Sequence, residues 1–154
     1  MSKIARYAPV AARVLLGFLF AFAGLNFFLH FIPQPPPPPE AVGFMTALFG
    51  SGYIMLVVKV VEVSAGLLLL SNRFVPLALT LLAPIIVNIV GVHAWLMPAG
   101  LPLALAVLML ELYLAWSYRA AFAPMLRAKV ALGLDAEDGV ARAARGGAVV
   151  EPLA

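Results

Sequence analysis

The sequence has no cysteine, and only 11% of its 154 residues are charged. Without cysteine the chain can form no disulfide, no thiolate metal site and no dithiol redox relay, so any redox chemistry would belong to a cofactor or a partner protein. The sequence also lacks an H-E-x-x-H zinc motif, a G-x-x-x-x-G-K-[ST] phosphate loop and a C-x-x-C-H haem motif. We therefore predict no metal site, and no catalytic residue can be named from a motif.

Hydrophobic residues make up 64% of the sequence and occur in long runs. A hydrocarbon core about 30 Å thick needs about 20 helical residues to cross it. The runs lack the strict alternation of a barrel strand, and an open sheet would leave its edge hydrogen bonds unmade in lipid. We therefore predict an all-α membrane protein, a four-transmembrane-helix antiparallel bundle with spans at 10–32, 52–70, 74–96 and 101–118.

Basic residues are distributed unevenly among the connections between these runs. Before the first run or at its start are Lys3, Arg6 and Arg13, between the second and third is Arg73, and after the fourth are Arg119, Arg127 and Lys129. Segments 33–51 and 97–100 contain no basic residue. The positive-inside rule then predicts a multi-pass protein of the bacterial cytoplasmic (inner) membrane, with both termini in the cytoplasm. The net charge of +3 is explained by this topology and by contact with the inner leaflet, so we expect no nucleic-acid partner.

The first outer loop is rich in proline. Pro33, Gln34 and the proline run 35–39 favour a stiff polyproline II strut of about 3 Å per residue, which cannot be helical. Residues 40–49 then carry apolar side chains roughly along one side, which predicts a short interfacial helix that caps the outer end of the bundle. The alternative is that the prolines only route the chain and resist proteolysis.

The remaining connections are short, and the end of the chain is different in composition. Segments 71–73 and 97–100 are too short to join anything except adjacent antiparallel helices. Residues 122–134 carry Arg127 and Lys129 among apolar residues, which predicts an amphipathic helix on the inner leaflet. We therefore divide the chain into a four-helix transmembrane domain with this extension, residues 1–134, and a flexible cytoplasmic tail, residues 135–154.

Seven polar or ionisable residues interrupt the apolar runs. At about 1.5 Å per helical residue, their distances from the helix ends predict that all seven lie in the outer half of the bundle. An ionisable side chain in hydrocarbon costs about 2.5 to 3.5 kcal/mol on insertion scales, so its presence predicts a site with a partner. This candidate ligand-binding layer consists of Asn26, His30, Lys59, Glu62, Asn88, His93 and Glu111.

Spacing within the helices predicts some partners. Lys59 and Glu62 are separated by three residues and share a helix face, so we expect them to pair. Glu111 has no partner on its own helix and must find one across the bundle or on a ligand. In the alternative, these three residues form an ionic network that only fixes the register of the helices.

Short motifs in the apolar runs indicate a family. They are Arg13-Val14-Leu15-Leu16-Gly17, Phe22-Ala23-Gly24-Leu25-Asn26, Phe44-Met45-x-Ala47-Leu48, Ser51-Gly52-Tyr53, Arg73-Phe74-Val75-Pro76-Leu77 and Val87-Asn88-Ile89. Over about residues 10–120 the chain resembles the DoxX family of small four-helix membrane proteins. The resemblance implies association with membrane redox systems, including quinone-linked thiosulfate oxidation and oxidative-stress complexes, usually beside a soluble oxidoreductase.

The leading functional hypothesis is a DoxX-like protein that binds a quinone or a similar amphiphile in the polar layer and supports a redox partner. Glu62 and Glu111 would handle protons. The carbonyl or hydroxyl oxygens of the ligand would be oriented by Lys59, Asn26, Asn88 and His93.

Two other classes of function stay open. The chain could be a transporter or permeation subunit for a small solute, which with four spans would require chains to associate as a homo-oligomer. The motif Gly17-x-x-x-Ala21 offers a packing seam for that association. The chain could also be a structural membrane subunit without a ligand.

Overall fold

A computed structural model describes residues 3–126, with side chains from Tyr7 onward. All regular structure in this part of the chain is helical, which confirms the predicted all-α class. A 3-10 turn at Pro98–Gly100 precedes the last long helix. The five principal helices are α1 (Lys3–Leu29), α2 (Pro39–Gly50), α3 (Ile54–Leu70), α4 (Val75–Trp95) and α5 (Leu101–Ser117).

Three segments are long and apolar enough to cross a membrane. They are Tyr7–Leu29, Val75–Trp95 and Pro98–Ser117. Helix α3 has 17 residues, or about 25 Å, and becomes a fourth span when it is counted together with α2, from which it is bent by 86°. The chain is therefore a multi-pass membrane protein with three or four spans among the described residues.

The first span ends earlier than its apolar run. Helix α1 stops at Leu29 rather than at residue 32, because His30 adopts the left-handed conformation with φ 52°. The N–H of His30 still donates to the Asn26 carbonyl oxygen at 2.9 Å and closes the last helical turn. Pro33 follows shortly afterwards and could not have continued the helix.

The predicted helix after the proline-rich loop is confirmed as α2, but it begins at Pro39, the last residue of the predicted non-helical strut, because proline is tolerated at the first position of a helix. The residues before it, 30–38, are not helical, and Pro38 has the polyproline II angles φ −63° and ψ 156°. Helix α2 ends at Ser51, whose hydroxyl donates to the Leu48 carbonyl at 2.7 Å and accepts the Ile54 N–H at 3.2 Å. This one hydroxyl bonds to the end of α2 and to the start of α3, where the chain bends.

Small residues allow α1 and α3 to pack closely. A Cβ atom added to Gly66 would lie 2.5 Å from the Ala21 nitrogen, and one added to Gly17 would lie 3.0 Å from the Gly66 carbonyl oxygen. Near the other end of the contact, a Cβ on Gly24 would lie 2.6 Å from Val63 Cγ2, so the two helices run in opposite directions. The Gly17-x-x-x-Ala21 seam, expected between chains, is therefore used within this chain.

The other long helices complete a set of pairwise contacts. Helix α1 also contacts α5, and α4 contacts both α3 and α5. We call the end where α1 stops, α3 starts, α4 stops and α5 starts the proline-loop end, and the opposite end the Arg73 end. Buried apolar side chains of α1 and α4 form much of the core. They include Leu16, Phe20, Leu79, Leu82 and Ile86.

Beyond α5, the described chain forms a short helix, α6 (Arg119–Phe122), followed by a 3-10 turn at Ala123–Leu126. The predicted helix over 122–134 is not continuous in its described part, because Phe122 ends α6 and a 3-10 turn follows it. Pro124 has no N–H and disfavours a continuous α-helix through this segment. The rest of that predicted helix, 127–134, and the predicted tail, 135–154, lie outside the described residues.

Candidate functional site

The predicted pair of Lys59 and Glu62 is confirmed. The Lys59 Nζ atom lies 2.7 Å from the Glu62 Oε2 atom, and the side chains are 17% and 4% exposed, respectively. Lys59 lies five residues after the start of α3 and Glu62 eight, about 8 and 12 Å along the helix. The two residues thus place a paired acid and base on the first half of α3.

Glu111 lies on the buried stripe of α5, with Ala104 seven residues before it and Leu114 three residues after it. The residue is 5% exposed. Its Oε2 atom is buried and has no hydrogen-bond partner among the described residues, so the expected partner across the bundle is not found for this oxygen. Leaving a buried polar group unpaired costs about 1 to 3 kcal/mol, and more for a charged group. A hydrogen-bonding ligand is one explanation of such an atom.

Asn26 is buried, but its amide bonds to the backbone of its own loop. Its Nδ2 donates to the Ile32 carbonyl oxygen at 3.1 Å, and its Oδ1 accepts the Ile32 N–H at 2.7 Å. These two hydrogen bonds fix the position of Ile32, at the point where the chain leaves α1 and helical hydrogen bonding ends. The geometry therefore gives Asn26 a structural role at the end of α1, and its predicted contact with a ligand oxygen stays a prediction.

Neither His30 nor Asn88 faces the interior. Both are exposed, and His30 belongs to the turn that ends α1. The Asn88 Nδ2 atom donates to the Pro84 carbonyl oxygen, one turn earlier on the same helix, at 2.9 Å. Depth along the helices grouped these two residues with the acids. In the structure, Asn88 lies on an exposed side of α4 and His30 lies in the turn after α1, so neither joins the buried residues.

His93 is half-buried and also bonds locally. Its Nδ1 atom lies 2.7 Å from the Ile89 carbonyl oxygen of the preceding turn. The ring packs so closely against Gly100 that a side chain at this glycine would collide with it. His93 therefore packs the end of α4 against the turn before α5. This close contact favours glycine at position 100.

Arg13 is a buried polar residue that we had interpreted only as part of the cytoplasmic charge. It is 8% exposed, and its Nη1 atom donates to the Leu69 carbonyl and, at 3.4 Å, to the Leu70 carbonyl. These carbonyls belong to the last turn of α3 and have no partner within the helix, and a cation there also interacts favourably with the helix dipole. A signal was available, since Arg13 precedes Gly17 and Ala21 at steps of four residues, on the face that packs against α3.

Apart from Arg13, whose guanidinium bonds to the end of α3, the interior ionisable groups of the described residues are therefore one ion pair on α3 and one carboxyl on α5. Such groups can accept or donate hydrogen bonds to hydroxyl and carbonyl oxygens and can exchange protons with them. No three His, Cys, Asp or Glu side chains of residues 3–126 are grouped so that they could hold a metal ion.

Comparisons of the chain with protein-family models, with curated proteins and with solved structures gave no match. The resemblance to the DoxX family therefore stays a prediction from the motifs quoted above. The geometry of Lys59, Glu62 and Glu111 carries the functional interpretation.

Proposed function

We propose that the chain is a four-span antiparallel bundle in the bacterial cytoplasmic membrane, with both termini and the Arg73 turn in the cytoplasm. The basic residues before α1, between α3 and α4, and after α5 support this orientation. The contacts of α1 and α4 with both α3 and α5 support a closed set of four helices. The 86° bend between α2 and α3 suits an α2 that lies in the outer membrane interface.

Within this bundle, Glu111 is the proposed binding point for a quinone or a similar amphiphile. One observation carries the proposal: the Glu111 Oε2 atom is buried without a hydrogen-bond partner among the described residues. An ionised carboxylate fits the hydroxyl of a quinol, which donates, whereas a protonated carboxyl fits the carbonyl of a quinone, which accepts. The apolar surfaces of the helices suit the hydrocarbon part of such a molecule.

The ion pair on α3 supports the same site. Glu62 lies about 12 Å along α3 and Glu111 about 15 Å along α5, both counted from the proline-loop end. Helix α1 contacts both helices. Because Lys59 neutralises Glu62, the Glu111 carboxyl is the interior acid available for a ligand or for a proton.

The proposal narrows the predicted ligand-binding set. The amide of Asn26 is bonded on both sides to Ile32, and the ring of His93 is bonded to the Ile89 carbonyl. We therefore assign the proton chemistry to Glu111, while the paired Lys59 and Glu62 lie at a similar depth on α3. Because the chain has no cysteine, electron transfer would be carried out by the bound molecule and a soluble oxidoreductase partner.

The test is to measure melting temperature and quinone-analogue binding on the same Glu111→Gln preparation in detergent. If Glu111 is held for a ligand, the substitution should leave the melting temperature unchanged or raise it, because strained functional groups are often destabilising. Binding of a quinol analogue should weaken by roughly 5-fold to 30-fold, because the Gln amide oxygen can still accept the hydroxyl proton but lacks the charge of the carboxylate.

Glu40→Gln is the matched control, since it makes the same chemical change at an exposed acid of α2. It should alter neither quantity. Unchanged binding by Glu111→Gln, together with a clearly lower melting temperature, would defeat the proposal and leave Glu111 as part of the scaffold.

Small molecules that copurify with the protein separate the three classes of function. A quinone found by mass spectrometry supports the proposal, and its loss from the Glu111→Gln preparation supports the assigned residue. A polar solute would favour a transporter or permeation subunit. Bulk lipid alone would favour a structural subunit.

A further inference from the structure

Helix α4 carries polar and small residues on the side that it turns away from the chain. Leu77 and Trp95 are exposed near the two ends of this side. Between them, at 100° per residue, Thr80, Pro84, Val87, Asn88 and Gly91 lie within an arc of about 100°. The first four are exposed, and Gly91 is half-buried. We call these five residues the exposed α4 face. The buried residues of α4 lie on its opposite side, and they are Val75, Ala78, Leu79, Leu82 and Ile86.

Asn88 places an amide on this face within the membrane-spanning part of the helix. It lies seven residues before Trp95, the last residue of α4, or about 10 Å from that end. One N–H of the amide is bonded to the Pro84 carbonyl, but no hydrogen bond to its Oδ1 atom occurs among the described residues. Hydrocarbon offers neither donors nor acceptors, so the rest of the amide needs a partner from protein.

Pro84 adds a second acceptor to the same face. Proline has no N–H, so it cannot donate to the carbonyl of Thr80 four residues earlier. The Thr80 carbonyl oxygen is therefore left without its helical donor. The hydroxyl of Thr80 does not supply one, because it donates to the Pro76 carbonyl at 2.9 Å. The exposed α4 face therefore offers an N–H donor and two acceptor oxygens.

Gly91 leaves the backbone of this face open to close approach. A Cβ atom added there would have no neighbour within 4 Å, whereas one added to Gly66 would collide with α1. Glycine at a membrane-helix surface lets another helix come close enough for backbone and short side chains to meet. Gly66 has such a neighbour within the chain, and Gly91 has none in the described part.

We propose that the exposed α4 face binds a second copy of this chain. A symmetric dimer about an axis along the membrane normal places each residue near the same residue of its partner. The Asn88 amide suits this symmetry because it is self-complementary, with an N–H to donate and an oxygen to accept. Each amide can bond to the other, because the two Asn88 residues lie at the same depth in such a dimer. The inference does not depend on the proposed quinone site.

Disulfide cross-linking can test the contact, because the chain has no cysteine of its own. Val87→Cys probes the exposed α4 face, and Met109→Cys on α5 is its matched control. Both residues are 64% exposed, and each lies eight residues from the proline-loop end of its helix. Oxidation of the full-length chain, both in native membranes and after purification and reconstitution, should yield dimer from Val87→Cys and little from Met109→Cys.

Equal cross-linking of the two variants would indicate random collision and overturn the proposal. Absence of dimer from Val87→Cys would overturn it as well. A Val87→Cys product of different mass that forms only in native membranes would mean that another membrane protein covers this face, which also excludes the second copy.

Two substitutions in the Val87→Cys chain test the chemistry of the contact. Asn88→Leu removes the amide, and Gly91→Leu fills the open space with a side chain that meets nothing in its own chain. Each should weaken association by roughly 3-fold to 30-fold, measured as the cross-linked fraction against dilution into lipid. An unchanged melting temperature in detergent would show that the chain still folds. Undiminished dimer in both would overturn the proposal.

Discussion

Substitution of Lys59 should destabilise the protein more than substitution of Glu62, because the two partners are buried to different extents. In Lys59→Met, the Glu62 carboxylate, only 4% exposed, loses the ammonium group 2.7 Å away. Breaking a buried pair from one side in this way costs about 3 to 5 kcal/mol. In Glu62→Gln, the amide oxygen can still accept from Lys59, whose long side chain can also extend toward the proline-loop end. That change should cost about 1 to 2 kcal/mol.

The double variant Lys59→Met/Glu62→Gln leaves no uncompensated charge. Its loss of stability should therefore be smaller than the sum of the two single losses by about 1 to 3 kcal/mol. The assay is the free energy of unfolding in mixed micelles titrated with SDS, followed by circular dichroism. Glu40→Gln, at an exposed acid, should stay within about 0.5 kcal/mol of the wild type.

Two results would refute the reasoning. Additivity of the single variants within about 0.5 kcal/mol would mean that the contact between Lys59 and Glu62 carries no coupling energy. A larger loss for Glu62→Gln than for Lys59→Met would mean that burial does not decide which partner matters more.

Three further predictions concern the scaffold and its orientation. Arg13→Leu should lower the free energy of unfolding by about 1 to 3 kcal/mol, because the Leu70 carbonyl loses its side-chain donor and the Leu69 carbonyl keeps only the Asn72 N–H at 3.2 Å. Arg73→Leu, at an exposed residue, should change it by less than about 0.5 kcal/mol. Asn26→Ala should speed proteolysis within segment 30–38, because both hydrogen bonds to Ile32 are lost, and an unchanged cleavage rate would contradict the role given to this amide. Labelling of introduced cysteines should place positions 2, 72 and 135 in the cytoplasm and positions 37 and 99 outside, and cytoplasmic labelling of position 37 would invert the topology.

Local features of the structure followed from the sequence. The apolar runs predicted helices in the right places because crossing hydrocarbon needs a minimum length with every backbone group bonded internally. The apolar residues of segment 40–49 predicted α2, and the three-residue spacing of Lys59 and Glu62 predicted their contact. Each of these depends on residues close together in the chain.

The proposed site depends on information that one helix alone does not contain. Asn88 and Glu111 both interrupt apolar runs, yet one is exposed and the other buried, since contacts between helices set how each helix is rotated. The apolar residues surround each span so completely that periodicity does not mark its inner face.

The contact of Arg13 is the clearest example of what the sequence of one helix does not contain, because its partner Leu69 lies 56 residues away in the sequence. Composition alone determined that this is a helical membrane protein with ionisable residues in its spans. Only the tertiary structure decided that Arg13 caps α3, that Asn26 holds a loop and that Glu111 is left with an unpaired oxygen. The physical reason is that hydrogen-bond satisfaction in a membrane interior depends on which helices are neighbours, and distant parts of the chain settle that together.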